Sequence, residues 1–89
     1  MESIWVFNGI QSSFPSGVFR NKESAEAWIS GNLLTGTLTE YPVDTGMYDY
    51  AISMGHFEPS KLEHETPLFV GKFSGGGISH VHYEDGKKE

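Results

Sequence analysis

Cysteine is absent from the 89-residue chain. Its absence excludes a disulfide framework and a thiolate zinc site, two supports on which small domains often rely, and it fits a reducing compartment. Long apolar runs are also missing near the start of the chain, where Glu2 precedes the four-residue run Ile4-Trp5-Val6-Phe7. This segment matches neither a secretory signal nor a membrane span, so we expect a cytoplasmic protein without a membrane partner.

Basic residues are few as well. Six Lys and Arg stand against twelve Asp and Glu, which gives a formal net charge of −6. The basic residues are scattered, and their one adjacent pair is Lys87-Lys88. Nucleic-acid-binding proteins need clustered Lys and Arg to displace counterions from phosphates. We therefore expect no direct binding of DNA or RNA. The acidic balance mostly reflects solubility, and attraction to a basic partner is the sharper but rarer interpretation.

Aromatic residues, by contrast, are plentiful: the chain has six Phe, four Tyr and two Trp. Each of them can bury a large apolar area, which supports a core in a chain this short. A chain of this length buries somewhat over ~60% of the surface that its unfolded form exposes. The length predicts a single α+β domain over residues 1–89, with residues 84–89 as a frayed charged tail.

The first half of the chain shows two strand patterns followed by a helix pattern. Residues 4–7 predict a strand buried on both faces, and residues 17–20 predict a second strand that pairs with it as a hairpin. Asn21 is a suitable N-cap for a helix that ends at Gly31-Asn32. The i, i+3, i+4 apolar stripe of this helix consists of Ala25, Trp28 and Ile29.

The middle of the chain adds a third strand and a second helix. Residues 37–41 alternate β-forming side chains and stop before a proline, which is typical of a strand. Asp44 can cap a helix over residues 45–54. A single helical turn is expected around residues 60–63.

A second hairpin is predicted towards the C-terminal end. Residues 68–73 and 78–83 have strand composition, and the glycine-rich residues 74–77 join them. The element order is then ββαβαββ, a mainly antiparallel sheet of about five strands with two helices packed on one face. The predicted core residues are Trp5, Phe19, Trp28, Ile29, Phe69 and Val81.

A histidine pair in the last predicted strand is the most suggestive chemical motif. His80 and His82 lie two residues apart, so they project from the same face, and neutral imidazoles in that arrangement can share a metal ion. A third ligand is needed, and Glu84 continues the same alternation. An exposed pair that binds nothing is the alternative and the commoner case. We expect no cofactor.

Two other patterns resemble catalytic motifs but lack their context. Ser74-Gly75-Gly76-Gly77 precedes a predicted strand rather than a helix, which favours a hairpin turn over a phosphate-binding loop. No nucleophile-elbow pattern surrounds Ser12, Ser13 or Ser16, so a hydrolytic triad is not predicted. The sequence therefore provides no catalytic residue.

Aromatic residues of the second predicted helix are candidates for a protein interface. Tyr48 and Tyr50 lie about 200° apart on a helix, so both cannot face the core. We expect one of them to be half-exposed and, with Phe57, to anchor a partner. A tyrosine at the edge of the core, without a partner, is the alternative.

Six blocks of the sequence are familiar as a set and occur in the same order. They are Trp5-Val6-Phe7, Phe14-Pro15-Ser16-Gly17-Val18-Phe19, Ala25-Glu26-Ala27-Trp28-Ile29, residues 34–44, Tyr48-Asp49-Tyr50-Ala51-Ile52 and residues 80–86. Together they resemble a family of small uncharacterised bacterial proteins classed as a domain of unknown function, over nearly the whole chain. They also look similar to products of mobile gene cassettes captured by integrons. The resemblance implies the fold and a bacterial cytoplasmic setting, and it brings no catalytic residues.

Two functions from different classes follow from these observations. The first is a non-enzymatic module, inhibitor-like or immunity-like, that binds another protein. The second is a small metal-dependent enzyme built around His80 and His82. The small size, the absence of cysteine and the lack of a convergent polar set favour the first. The oligomeric state stays open, and a homodimer is compatible with the sequence.

Overall fold

Strand β1 forms where the apolar run of residues 4–7 predicts it and extends over Ser3–Gly9. The computed structural model describes residues 2–74 and 77–89, and it divides the chain into two compact units. The first unit contains the chain up to Val43 and from Ile78 onward, and the second is Asp44–Gly77. In the described residues, no helix has the length and apolar character needed to cross a membrane.

The first unit is built on a five-stranded antiparallel sheet with strand order β2-β1-β3-β4-β5. This confirms the predicted α+β class and the antiparallel sheet, including the hairpin between β1 and β2. Cross-strand register aligns Phe7 with Leu38 and Leu38 with Val81. The elements of this unit are β1, β2 (Gly17–Phe19), α1 (Lys22–Gly31), β3 (Gly36–Pro42), β4 (His80–Glu84) and β5 (Lys87–Lys88).

The core of the first unit lies between one face of this sheet and α1. Phe7, Leu38 and Tyr83 project from the sheet and pack against Ala25 and Ile29 of the helix, and all five are almost fully buried. Partly buried side chains surround them. These are Trp5, Phe19, Trp28, Leu34 and Val81.

Helix α1 forms as its sequence predicts. The Asn21 side chain accepts a 2.8 Å hydrogen bond from the Ser24 backbone N–H and so caps the helix. After Gly31 the chain turns through Leu33, whose φ is +53°, and the Leu34 N–H donates back to the Ile29 carbonyl. The apolar stripe predicted from the sequence faces the sheet, which confirms that part of the core.

The predicted strand at residues 68–73 is wrong, because these residues form helix α3 (Pro67–Lys72) in the second unit. Thr66 caps this helix by accepting from the Phe69 N–H, and Pro67 occupies its first turn, where a missing N–H is harmless. Phe69 therefore does not belong to the core of the sheet. The proposed hairpin loop includes Gly75 and Gly76, which lie outside the described residues.

The C-terminal segment also differs from expectation. Residues 84–89 were expected to fray, yet Lys88 pairs with Tyr83 and Lys87 with Glu84 in a two-stranded hairpin. The turn is Asp85-Gly86, with φ values of +51° and +86°. Positive φ at both central residues is the condition for the tight turn that best fits the twist of a hairpin.

The second unit is helical. Helix α2 (Met47–Ser53) begins after Gly46, and Asp44, the predicted cap, lies before it with a φ of +61°. A short 3-10 helix (Leu62–Glu65) then leads into α3, close to the helical turn predicted for residues 60–63. Ala51 is the buried side chain identified among the described residues of this unit. Of the two helices predicted to pack on one face of the sheet, α1 belongs to the first unit together with the sheet. The other, α2, belongs to the second unit.

Candidate functional site

Aromatic side chains from four segments of the second unit meet in one cluster. Tyr48 of α2 has its ring centroid 5.9 Å from that of Phe57 and 5.6 Å from that of Phe73. Phe57 in turn stacks on Phe69 of α3 at 5.8 Å. His64 completes the cluster at 4.9 Å from Phe69 and 5.3 Å from Phe57. All five rings are half-buried, so the cluster both holds this unit together and reaches its surface.

Local hydrogen bonds explain why these rings converge. The Nδ1 atom of His64 accepts from the backbone N–H groups of Ser60 and Lys61, at 3.1 Å and 3.3 Å. The Thr66 hydroxyl donates to the Glu63 carbonyl at 2.9 Å while it caps α3. These contacts fix the turn between the 3-10 helix and α3 and thereby orient the ring of His64 towards α3.

A pocket of about 360 Å³ opens beside this cluster. Its walls are mostly apolar, and Glu63 and Lys72 provide charge at its rim. Leu68 stands on its edge with 72% of its surface exposed, and Leu62 nearby in the sequence is 91% exposed. Single exposed apolar side chains are common on protein surfaces, and Leu68 differs from them in lining an apolar pocket. The residues that line the pocket are Glu63, Thr66, Leu68, Phe69, Lys72 and Phe73.

The second unit as a whole is acidic. The second unit carries five acidic side chains and two lysines, and Lys61 lies 4.0 Å from the carboxylate of Glu63. Both members of this ion pair are largely exposed, so the pair contributes little to stability. The second unit is therefore net acidic, whereas the pocket itself is lined by one charge of each sign, Glu63 and Lys72.

Two of the three predicted interface residues lie together in the structure, and the third does not. Tyr48 and Phe57 belong to the aromatic cluster, whereas Tyr50 is half-buried on α2 and joins none of the ring contacts found among the described residues. Sequence reasoning missed Leu62 and Leu68. The signal for helix α3 was present, because Thr66-Pro67 marks a helix start, but the exposure of Leu68 depends on tertiary packing.

The candidate metal ligands lie on the sheet face opposite the core of the first unit. His80 faces Thr39 and His82 faces Thr37 across the β3–β4 ladder, and both histidines are exposed. Their ring centroids are 5.0 Å apart with the planes at 87°. Glu84 is exposed on the same strand, but among the described residues no three His, Asp or Glu side chains form a group that can hold a metal.

A partly buried hydrogen bond shifts the pKa values of two residues in the first unit. The Tyr83 hydroxyl donates to Glu26 Oε2 at 2.6 Å, and Lys88 Nζ lies 3.2 Å from the same oxygen. The bond from Tyr83, assisted by Lys88 and opposed by partial burial, lowers the pKa of Glu26. Burial, and then the carboxylate of Glu26, raises the pKa of Tyr83 well above its ordinary value. These three residues join α1 to β4 and β5, which is a structural role.

Comparison with known proteins gives one match. Residues 4–89 match the model of the family DUF7710, described as a domain of unknown function. No curated protein matches the chain, and no solved structure does. The match covers nearly the whole chain and carries no assignment of activity.

Proposed function

Because this chain belongs to the DUF7710 family, a domain of unknown function, we propose a function from its surface: it is a non-enzymatic module that binds another protein. The binding surface is the α3 surface, formed by the apolar pocket together with Leu62 and Leu68. The observation that carries the proposal is the apolar pocket beside the half-buried aromatic cluster, with Leu68 exposed on its edge. Apolar anchors that enter or flank a pocket are the usual centre of a protein interface.

The energetics of the second unit support this assignment. Its aromatic rings are only half-buried, and Ala51 is its one fully buried side chain in the described part of the chain. Covering exposed apolar area is worth roughly 25 cal/mol per Å² before the costs of association. A partner that covers Leu62, Leu68 and the pocket therefore stabilises the unit as it binds.

The charge of the surface defines the partner. Glu58, Glu63 and Glu65 are exposed in the segment that leads into α3, and the whole chain is acidic. Complementary charges steer association and select partners. We therefore assign the α3 surface to a protein segment that presents an apolar side chain flanked by Lys or Arg.

The setting proposed for this module is the bacterial cytoplasm, and the narrower form of the function is an inhibitor-like or immunity-like protein of a mobile gene cassette. The resemblance to small bacterial proteins supports the setting, and the absence of cysteine is compatible with it. An acidic module that covers a basic protein surface is the chemistry that such an inhibitor needs.

A selection from a random peptide library on the immobilised full chain tests the proposal. Enriched peptides should combine an aliphatic or aromatic residue with Lys or Arg. Leu68→Ser should weaken the binding of such a peptide by roughly thirtyfold or more, as loss of an interface anchor worth about 2 kcal/mol does. Leu33→Ser is the matched control, because Leu33 is 69% exposed but belongs to the first unit.

Two results would contradict the proposal. One is a selection that enriches no basic and apolar peptide. The other is a set of peptides that bind the Leu68→Ser chain as tightly as the unaltered chain, since their site would then lie elsewhere. Urea denaturation of both variants shows whether any loss of binding is a loss of folding, because surface substitutions usually change stability by no more than ~0.5 kcal/mol.

A further inference from the structure

We infer that His80 and His82 form a two-histidine site for a divalent transition-metal ion on the exposed face of strand β4. The two rings project from one face of the sheet, and their centroids are 5.0 Å apart. The site lies in the first unit, whereas the α3 surface belongs to the second.

The hydrogen bond of His80 leaves the correct nitrogen free. His80 Nδ1 lies 3.0 Å from the carbonyl oxygen of Ile78. A carbonyl oxygen only accepts, so Nδ1 carries the proton, and in the neutral ring Nε2 keeps its lone pair. A ligating histidine typically donates its other N–H to a carbonyl in this way, which fixes the tautomer and the orientation of the ring.

The second ring also has a hydrogen-bond partner at Nδ1, a hydroxyl, which can either donate or accept. His82 Nδ1 lies 3.2 Å from the hydroxyl oxygen of Thr37, the residue opposite it on β3. A hydroxyl can accept the Nδ1 proton, which leaves Nε2 of His82 with its lone pair as well. Both imidazoles are thus supported from the protein side by a hydrogen bond through Nδ1.

The spacing of the rings fits one shared ion. Two nitrogens that each bind a metal at about 2.0–2.1 Å in tetrahedral geometry lie ~3.4 Å apart. Rings that converge on such an ion through Nε2 have centroids on the order of 5 Å apart, which agrees with the observed 5.0 Å. The third protein ligand expected from the sequence, Glu84, does not join such a group among the described residues, so water takes the remaining coordination positions.

Imidazole ligands select the class of metal. Neutral imidazole suits zinc, copper and nickel, whereas magnesium and calcium prefer oxygen ligands. Once the first imidazole holds an ion, the second imidazole has a high effective concentration at that ion. The second ring therefore strengthens metal binding by roughly 10²–10⁴-fold over one ring alone. The pair therefore binds nickel, copper or zinc through both rings, and each ring is essential.

Calorimetric titration of the full chain with nickel chloride near neutral pH tests this site. The unaltered chain should bind one nickel ion, and either His80→Ala or His82→Ala should weaken binding by roughly 100-fold or more. His56→Ala is the matched control, because His56 is an exposed histidine of the second unit, and it should leave the affinity unchanged. Glu84→Gln should also leave it unchanged, since the site uses two protein ligands.

A structural readout shows where the metal binds. Substoichiometric copper(II) should broaden the amide resonances of Thr37, Thr39, His80 and His82 before those of the second unit. The inference is overturned by the absence of one-to-one nickel binding, or by binding that survives in the His80→Ala, His82→Ala double variant. Broadening centred on His56 or His64 would overturn it as well. Equal melting temperatures of the variants without metal show that they are folded.

Discussion

The hydroxyl of Tyr83 on β4 donates a 2.6 Å hydrogen bond to Glu26 Oε2 on α1, across 57 positions of sequence. The Tyr83 ring is part of the buried core, while the carboxylate of Glu26 is half-buried and also meets Lys88 of β5. A single polar contact thus links the helix to the two C-terminal strands. A hydrogen bond to a charged acceptor in such a place is expected to matter for stability.

The first prediction concerns this hydrogen bond. Tyr83→Phe keeps the buried ring and removes only the donor, so it should lower the free energy of unfolding by about 1.5–3 kcal/mol. We expect a value near the lower limit, because Glu26 retains Lys88 and partial access to water. Urea denaturation measures the change. Lys88→Gln is the control and should cost under ~1 kcal/mol, since the Lys88 side chain is more than half exposed. A larger loss from Lys88→Gln than from Tyr83→Phe would contradict the assignment.

The second prediction is a pH dependence of stability that arises from Glu26. Its pKa in the folded chain lies below the ordinary value of 4.5, chiefly because of the hydrogen bond from Tyr83. A lowered folded pKa means that the unfolded chain binds the proton more tightly. The contribution of Glu26 to stability is therefore complete above pH 4.5 and is lost as the pH falls through the folded value.

Urea denaturation of the unaltered chain and of Glu26→Gln between pH 7 and about pH 3 measures this contribution. The difference in stability between the two chains should be constant near neutral pH and should shrink below about pH 4.5. A difference that grows as the pH falls would reverse the sign of the pKa shift and refute the prediction.

The third prediction compares two glycines. A Cβ on Gly36 would lie 2.2 Å from the carbonyl oxygen of Asn8 and 2.7 Å from the ring of Phe7. The Asn8 oxygen belongs to the backbone, so relieving this overlap would require strand β1 to move. Gly36→Ala should therefore separate β1 from β3 and lower stability by at least about 1–3 kcal/mol, as overpacking does. A Cβ on Gly31, in α1, meets nothing within 4 Å.

Gly31→Ala should accordingly raise the stability by up to ~1 kcal/mol, because alanine favours the helix and restricts the unfolded chain. Thermal and urea denaturation of the pair give both values. Opposite signs for the two substitutions are the expected result, and a neutral Gly36→Ala would show that the two strands do not approach as closely as described.

Sequence reasoning succeeded for the first unit where local signals and burial agree. The cap at Asn21, the stripe of α1, the apolar run of β1 and the alternation of β3 all point to the same packing, so these elements were predictable. The projection of His80 and His82 from the same face of β4 also follows from the two-residue period of a strand alone. Agreement between levels of description is what makes such predictions reliable.

The failures come from segments where two signals conflict. Residues 68–73 combine Phe and Val in a short apolar run, which favours a strand by propensity, whereas Thr66-Pro67 is a cap followed by a proline and marks a helix start. The cap decides the outcome. Similarly, the charged composition of residues 84–89 suggested a frayed tail, although Asp85-Gly86 is a strong hairpin turn. The exposure of Leu62 and Leu68 depends on tertiary packing, and no local pattern encodes it.

The last prediction tests the cap that orients α3. The Thr66 hydroxyl accepts from the Phe69 N–H and donates to the Glu63 carbonyl, so one side chain joins the 3-10 helix to α3. Thr66→Val keeps the shape and loses both hydrogen bonds, and loss of an N-cap costs about 1 kcal/mol. If α3 opens locally, hydrogen exchange at the Phe69 amide should become on the order of fivefold faster, since the opening free energy falls by that amount. Thr66→Ser retains the hydroxyl, so the Phe69 amide of this variant should exchange at the original rate. Equal acceleration in both variants would mean that the methyl group, rather than the hydroxyl, stabilises this turn. The Thr66 cap would then not be what positions α3 and Leu68.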